Sequence, residues 1–299
     1  YPLQYLNSVK DTYQPRSRNR IALVRGLGLI TSGHSDYFGE VLGGTTMSSN
    51  LRKIRRDKRV AGIILRVDSP GGSAVGSDMV WKELKLLQKS GKPVVVSMSG
   101  VAGSGGYYIS MAAQHIVSQP STITGSIGVI FGKFDLEGLY RWLGVTVDRV
   151  KLSPNADILS PFTSLNSKQY RSIEYWMKEI YQNFVQKAAE GRGLDKAELE
   201  LRARGRIYTG AQAKEIGLID ELGGMQVAIN QMKKALGLRE HEEIELALYP
   251  ESKNLWESLT SRALLGAWQQ SSVSGWLKEM LQLLSTPAPW LLMPAISIQ

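Results

Sequence analysis

Apolar residues fall in short unbroken runs separated by glycine-rich turns. Ile21 to Val24 is the first, a short β-rich run before a Gly-rich turn. Val60 to Val67 (V-A-G-I-I-L-R-V) is dominated by branched residues, which predicts a strand buried on both faces. Pro93 to Met98 repeats that pattern. The second run ends in Asp68-Ser69-Pro70-Gly71-Gly72-Ser73, a turn that opens a helix running to about Lys89, where Gly91-Lys92-Pro93 stops it. The third ends in the Gly-rich turn 100–106, followed by a helix to about Gln114. Thr46 to Arg59 reads as a helix with basic spacing. Short strands are expected at Ile116–Val117 and Ile127–Phe131, then a helix at Leu136–Leu143 and a strand at Val145–Val150. Beyond Ser167 the spacing is helical over 169–190, 196–204, 211–216 and 225–236, with a late strand at Glu243–Leu248. The order strand, Gly turn, helix defines an α/β class, and no internal repeat is visible.

The 299 residues suit one large domain or two small ones, and 43% apolar content provides a core. The absence of cysteine excludes disulfides, thiolate metal sites and cysteine nucleophiles. The three histidines, His34, His115 and His241, form no zinc motif, so neither metal nor cofactor is expected. The net charge of +9 is uneven: residues 1–60 carry eleven Lys/Arg against four Asp/Glu. With no nucleic-acid reader motif beside it, the cluster Arg52, Lys53, Arg55, Arg56, Lys58 and Arg59 reads as a solvated helix face, with anionic lipid or an acidic partner as the alternative. The chain opens on Tyr1, and residues 1–20 read as a polar linker, consistent with a piece of a longer chain. Leu281 to Gln299 is uncharged, but Pro287, Pro289 and Pro294 disfavour a membrane span. It reads as a packed or frayed tail, or as a segment docking on a neighbour or a membrane surface.

From Pro93 to Gly132 the chain carries no Lys, Arg, Asp or Glu, yet it is rich in Ser, Thr and Gly. Such a stretch suits close backbone approaches around a peptide-binding or acyl-transfer site. Ser104, in Gly103-Ser104-Gly105-Gly106, follows a buried strand and opens a helix, where an accessible hydroxyl and free N–H groups come together. The Gly105 N–H is a natural oxyanion donor, and Gly71 and Gly72, after a neighbouring parallel strand, are placed to supply the second. His115 sits in an apolar run and reads as a core histidine, so a Ser-His-Asp hydrolase is disfavoured. A Ser–Lys dyad, with a desolvated lysine as base, is the other common solution.

The segments V-D-S-P-G-G-S (67–73), G-K-P-V-V-V-S-M (91–98), A-G-S-G-G-Y-Y-I-S (102–110) and T-I-T-G-S-I-G-V (122–129) resemble the signal peptide peptidase A family, also called protease IV. So do R-I-Y-T-G-A-Q-A-K (206–214) and G-L-I-D-E-L-G-G (217–224). The resemblance covers roughly residues 20–237. It implies a Clp protease/crotonase-like fold of stacked ββα units, here with a C-terminal helical extension. It also implies a Ser–Lys peptidase acting on remnant signal peptides and other membrane-associated peptides. Carried over by motif, Ser104 is the nucleophile, the Gly71/Gly72 turn and Gly105 supply the oxyanion donors, and Ser126 orients the base lysine. Main chain near Gly72 and Gly128 pairs with an extended substrate.

One position departs from the family. Short members place the base lysine about fifty residues after the serine, before an Asp and a Ser-Pro, and the matching residue here is Ala156. Long members are tandem duplications whose N-terminal half supplies the lysine. The chain therefore reads as a serine-bearing C-terminal half, with 1–20 a linker, 21–237 the peptidase domain and 238–299 an extension. Its expected partners are peptide substrates, a lysine-bearing half or neighbouring subunit, other copies in a homo-oligomeric ring, and a nearby membrane, but no nucleic acid. The expected location is the periplasmic side of a bacterial inner membrane or a thylakoid. The alternatives are a shifted lysine in the same chain, Lys151 ahead of Lys168 and Lys133, or a catalytically incomplete peptide-binding scaffold. A crotonase-type acyl-CoA enzyme is disfavoured, because the Ser104 turn and T-G-S-I-G are peptidase features.

Overall fold

The computed structural model describes residues 19–36, 41–249 and 290–292. In chain order the elements begin with β1 (Arg20–Leu27), β2 (Leu29–Thr31), β3 (Val41–Gly43), α1 (Gly44–Arg56), β4 (Val60–Ser69), β5 (Gly71–Ser73) and α2 (Ala74–Lys89). Next come β6 (Val94–Gly103), α3 (Gly105–Ser110), β7 (His115–Ser118), β8 (Ile123–Gly125), α4 (Glu137–Trp142) and α5 (Ser167–Arg192). They end with α6 (Lys196–Arg202), β9 (Ile207–Thr209), α7 (Gly210–Glu215), β10 (Glu221–Leu222), α8 (Met225–Ala235), β11 (Glu245–Tyr249) and β12 (Trp290–Leu292).

The three apolar runs become the centre of one sheet of order β10-β7-β6-β4-β1-β11, in which every neighbouring pair is parallel. Both faces are covered, as a branched, nearly uncharged strand sequence requires. On one face Ile21, Ile64, Val95 and Val117 pack against Ala228 and Met232 of α8. Gly62 permits that approach, since a Cβ there would lie 2.6 Å from the Met232 sulfur. On the other face Ile109 of α3 comes over Gly26 of β1. β8 continues along the end of β6 and pairs antiparallel with β9. A second small sheet has the order β12-β5-β2-β3, so β5 lies between β2 and a strand from the C-terminal region. The α/β class is thus a parallel-rich sheet with helices on both faces.

The chain packs as two units. Among the described residues, the first comprises 19–36, 41–128, 184–249 and 291–292, and the second 129–183 with 290. The first carries the sheet. In the second, α4 is held by Glu137–Arg141, and Lys151 and Arg149 both meet Asp157.

Several expectations need correction. Val145–Val150 forms no strand: it belongs to no sheet, and Val150 is 98% exposed. Its β-branched residues favour an extended backbone, but without a ladder partner among the described residues no strand results. The strand expected at Ile127–Phe131 lies earlier, at Ile123–Gly125, where β6 and β9 supply partners. The helix after Ser104 stops at Ser110 rather than near Gln114. His115 is half-buried beside Glu221, with Nε2 3.4 Å from Oε2, and is not a core histidine. The basic face of α1 is partly consumed within the fold, because Arg52 and Arg55 flank the buried carboxylate of Glu83 on α2. The linker reading for 1–20 and the helical-extension reading for 238–299 fall largely outside the described residues, as does most of the Leu281–Gln299 tail.

Candidate active site

The first half of the site is the turn between β4 and α2. Ser69 Oγ donates to the Gly28 carbonyl at 2.6 Å and accepts from the Gly71 N–H at 3.2 Å. Gly71 and Gly72 have φ of 112° and 144°, conformations that favour glycine. A Cβ on Gly72 would lie 2.1 Å from the Ile30 carbonyl oxygen of β2. Ser73 then caps α2, its Oγ accepting from the Gly76 N–H at 3.2 Å. Ser77 Oγ donates to the Ser73 carbonyl at 2.9 Å, which ties the first turn of α2 back to β5.

The second half is the turn between β6 and α3. Ser104 has φ 50° and ψ −113°, a strained conformation for a residue with a Cβ. Its backbone is held from both sides: its N–H donates to the Gly125 carbonyl, and its carbonyl accepts from the Tyr108 N–H, both at 2.8 Å. The side chain is fully buried, and Oγ has no hydrogen-bond partner among the described residues. The sequence pattern calls for an accessible hydroxyl, whereas the structure encloses it. Leaving a buried hydroxyl unpaired costs about 1–3 kcal/mol. A buried unpaired hydroxyl that coincides with a strained backbone makes Ser104 a candidate site residue.

The two halves meet at Gly105. A Cβ on it would lie 2.7 Å from Ser77 Oγ and 3.1 Å from both Gly71 Cα and Gly72 N. Gly106 touches the same turn, since its Cβ would sit 2.5 Å from the Ser69 carbonyl oxygen. Ser104, Gly105, Gly71 and Gly72, which the sequence places on two separate turns, thus form one constellation.

Ser126 enters through β8. Thr124 Oγ1 donates to the Ala102 carbonyl at 2.8 Å, which fixes β8 on β6. Ser126 is buried with φ 51°, and its N–H donates to the Arg206 carbonyl at 2.7 Å. It follows directly on Gly125, whose carbonyl holds Ser104. Gly128 lies further along against Gly205, where a Cβ would come within 2.9 Å of the Gly205 Cα.

Among the described residues, no lysine is bonded to Ser104 Oγ. Lys151 instead donates to Asp157 Oδ2 at 3.1 Å, and that bond holds the Asp157 carboxyl below its usual range. An ammonium engaged with a carboxylate is the opposite of the desolvated, unpaired setting of a base lysine. Lys133 donates to the Thr163 carbonyl. Ala156 sits in a turn, its N–H donating to the Ser153 carbonyl at 3.2 Å. Sequence reasoning missed Ser69 and Ser77, which hold the glycine turn, and Lys187, which meets Asp78 and Tyr108 beside α3. Only the density of serine around the two glycine turns signalled the first two. Nothing local signalled Lys187, since its partners are far away in sequence.

Residues 86–239, more than half of the chain, match the model of "Peptidase family S49". The chain belongs to peptidase family S49. Ser104, Gly105, Ser126 and Gly128 fall inside the matched region, and the Gly71/Gly72 turn precedes it. This S49 chain is 33% identical to Protease 4 of Haemophilus influenzae, over 95% of its own length and 45% of the relative's. It is 36% identical to the chloroplastic serine protease SPPA of Arabidopsis thaliana, over 77% of the chain and 34% of the relative. It is 38% identical to Protease 4 of Salmonella typhi, over 90% and 41% respectively. The S49 chain therefore spans less than half the length of these curated relatives. No helix among its described residues is long and apolar enough to cross a membrane.

Proposed function

We propose that this chain is the serine-bearing half of a Ser–Lys endopeptidase of the Clp protease/crotonase-like fold. The observation that carries the reading is Ser104 itself: a strained, buried, unpartnered hydroxyl beside two glycine turns. In the reaction, Ser104 Oγ attacks the scissile carbonyl carbon and its proton passes to a neutral lysine. The N–H groups of Gly72 and Gly105 receive the oxyanion. The tetrahedral intermediate collapses to an acyl-enzyme as the amine leaves with the proton from the lysine. Water then adds, the lysine again taking and returning the proton, and the acid is released.

The lysine comes from a lysine-bearing half or a neighbouring subunit. Two observations support this: Ala156 stands at the matching position, and Lys151 is engaged with Asp157. Ser126 orients that lysine. Backbone near Gly72 and Gly128 pairs with an extended substrate. The substrates are remnant signal peptides and other membrane-associated peptides, cleaved by a homo-oligomeric ring on the periplasmic side of an inner membrane or at a thylakoid. The alternative, a peptide-binding scaffold without turnover, draws on the same alanine and on the enclosure of Ser104.

The test is cleavage of a fluorogenic apolar peptide by this chain alone and with a lysine-bearing half, with Ser104→Ala as control. Cleavage only by the pair, lost in the alanine variant, supports the split dyad. Cleavage by this chain alone overturns it in favour of a lysine such as Lys151. Silence in both favours the scaffold.

A further inference from the structure

Helices α2 and α3 each begin at one half of the Ser104 site. α2 starts directly after the Gly71–Ser73 strand, and α3 starts with Ser104 as its N-cap residue. The spacing between the two helices therefore sets the distance from Ser104 to the Gly72 N–H. At their starts they touch through Gly105, which has no side chain to fix that spacing. One turn further on, side chains take over. Tyr108 Oη of α3 donates to Asp78 Oδ1 of α2 at 2.7 Å. Lys187 of α5 bridges the pair, its Nζ donating to Asp78 and, at 3.0 Å, to Tyr108 Oη. The same ammonium lies 4.0 Å from the centre of the Trp81 ring on α2. One helical turn before it, Phe184 packs on Tyr108 with ring centres 4.8 Å apart. The Lys187 side chain is only 16% exposed. Burial, followed by the bond to Asp78, raises the Tyr108 phenol far above its usual range, so its hydroxyl stays a donor. No step of the proposed reaction uses these three groups.

We propose that Lys187, acting through Asp78 and Tyr108, is a positioning residue that holds the Ser104 helix at the spacing required for oxyanion capture. The inference rests on the reading of Ser104 as nucleophile. A preorganised donor is effective only within about 0.5 Å of its productive place. A clamp one turn away that joins both helices is suited to hold that tolerance. Removing it loosens the tetrahedral adduct and leaves ordinary peptide binding unchanged.

The experiment compares two ligands on the intact chain: an uncharged apolar tripeptide aldehyde and the corresponding alcohol. Ser104 Oγ adds to the aldehyde carbon and the hydroxyl proton moves to the new oxygen, giving a hemiacetal held by the oxyanion donors. The alcohol cannot form it. Both affinities are equilibria, independent of where the general base resides. The wild type is expected to prefer the aldehyde, and Ser104→Ala to lose the preference. Lys187→Met is expected to lower the aldehyde-to-alcohol affinity ratio at least tenfold with the alcohol affinity unchanged, and Lys187→Arg to restore much of it. An unchanged ratio in Lys187→Met, or an equal loss for both ligands, overturns the proposal while the nucleophile reading stands. A wild type with no preference for the aldehyde overturns the nucleophile reading, and this proposal with it. Should Lys187→Met fail to fold, Tyr108→Phe, which keeps the ring and removes only the hydroxyl, decides by the same ratio.

Discussion

A methyl group placed on Gly105 would lie 3.1 Å from the nitrogen of Gly72, so the two turns meet with no room for a side chain between them. The prospective oxyanion donors and the prospective nucleophile are thereby brought into direct backbone contact. Gly105→Ala is expected to push the turns apart by a few tenths of an ångström. The loss in Ser104 acylation should be about 10²–10³-fold, the scale of a lost oxyanion donor. Acylation kinetics and circular dichroism on the same variant check this, the spectrum being expected to stay unchanged.

The backbone of Ser104 predicts a stability effect opposed to function. At φ 50° a side chain is strained and glycine is not, and the buried hydroxyl has no partner. Ser104→Gly should therefore raise unfolding stability by about 1 kcal/mol while abolishing reaction with serine-directed reagents. Urea unfolding measures the first effect and active-site labelling the second. A destabilised glycine variant would mean that the strain is not stored there.

Acid sensitivity is expected from Asp220. Burial alone would raise its carboxyl, but Arg192 bonds both of its oxygens and the Ile116 N–H donates to it at 2.7 Å, and together these hold it below the usual range. Its contribution to stability is thus present above the unfolded carboxyl value of about 3.9 and is lost as pH falls through the lower folded value. Thermal unfolding from pH 7 down to pH 3 should show a falling Tm at the acid end. Asp220→Asn should cost about 3 kcal/mol at neutral pH, because it leaves Arg192 buried without its anion, and should flatten the acid slope. Parallel curves for the two proteins would contradict this.

Much of this was legible in the sequence, for identifiable reasons. The branched runs at 60–67 and 93–98 have no amphipathic reading, so a strand buried on both faces was the consistent choice. The glycine turns at 71–72 and 105–106 pointed to close backbone approach, and the contact across Gly105 is that approach. What failed depended on distant partners. Val145–Val150 has strand composition, but whether it pairs is decided by a neighbour that local pattern cannot report. The enclosure of Ser104 and the meeting of Lys187 with Asp78 and Tyr108 follow from packing of elements far apart in the chain. The apolar flank of His115 resembles a core strand, whereas among the described residues β7 carries only the two-residue β10 on its outer edge.

Ala156 offers a gain-of-function test. If this position is where the family places its base, Ala156→Lys should give the chain alone measurable cleavage of an apolar fluorogenic peptide, whether the lysine serves its own copy or a neighbouring one. The activity should rise with pH as the lysine loses its proton and should disappear in Ser104→Ala/Ala156→Lys. Continued inactivity in a folded variant would place the base elsewhere.

The most direct measurement is the rate at which a serine-directed fluorophosphonate labels this chain, alone and with a lysine-bearing half, with the labelled residue mapped by mass spectrometry. The split-dyad account predicts slow labelling of the chain alone, at least tenfold faster labelling of the pair, and modification at Ser104 in both. Labelling of the chain alone at the full rate, or modification at a serine other than Ser104, would contradict it.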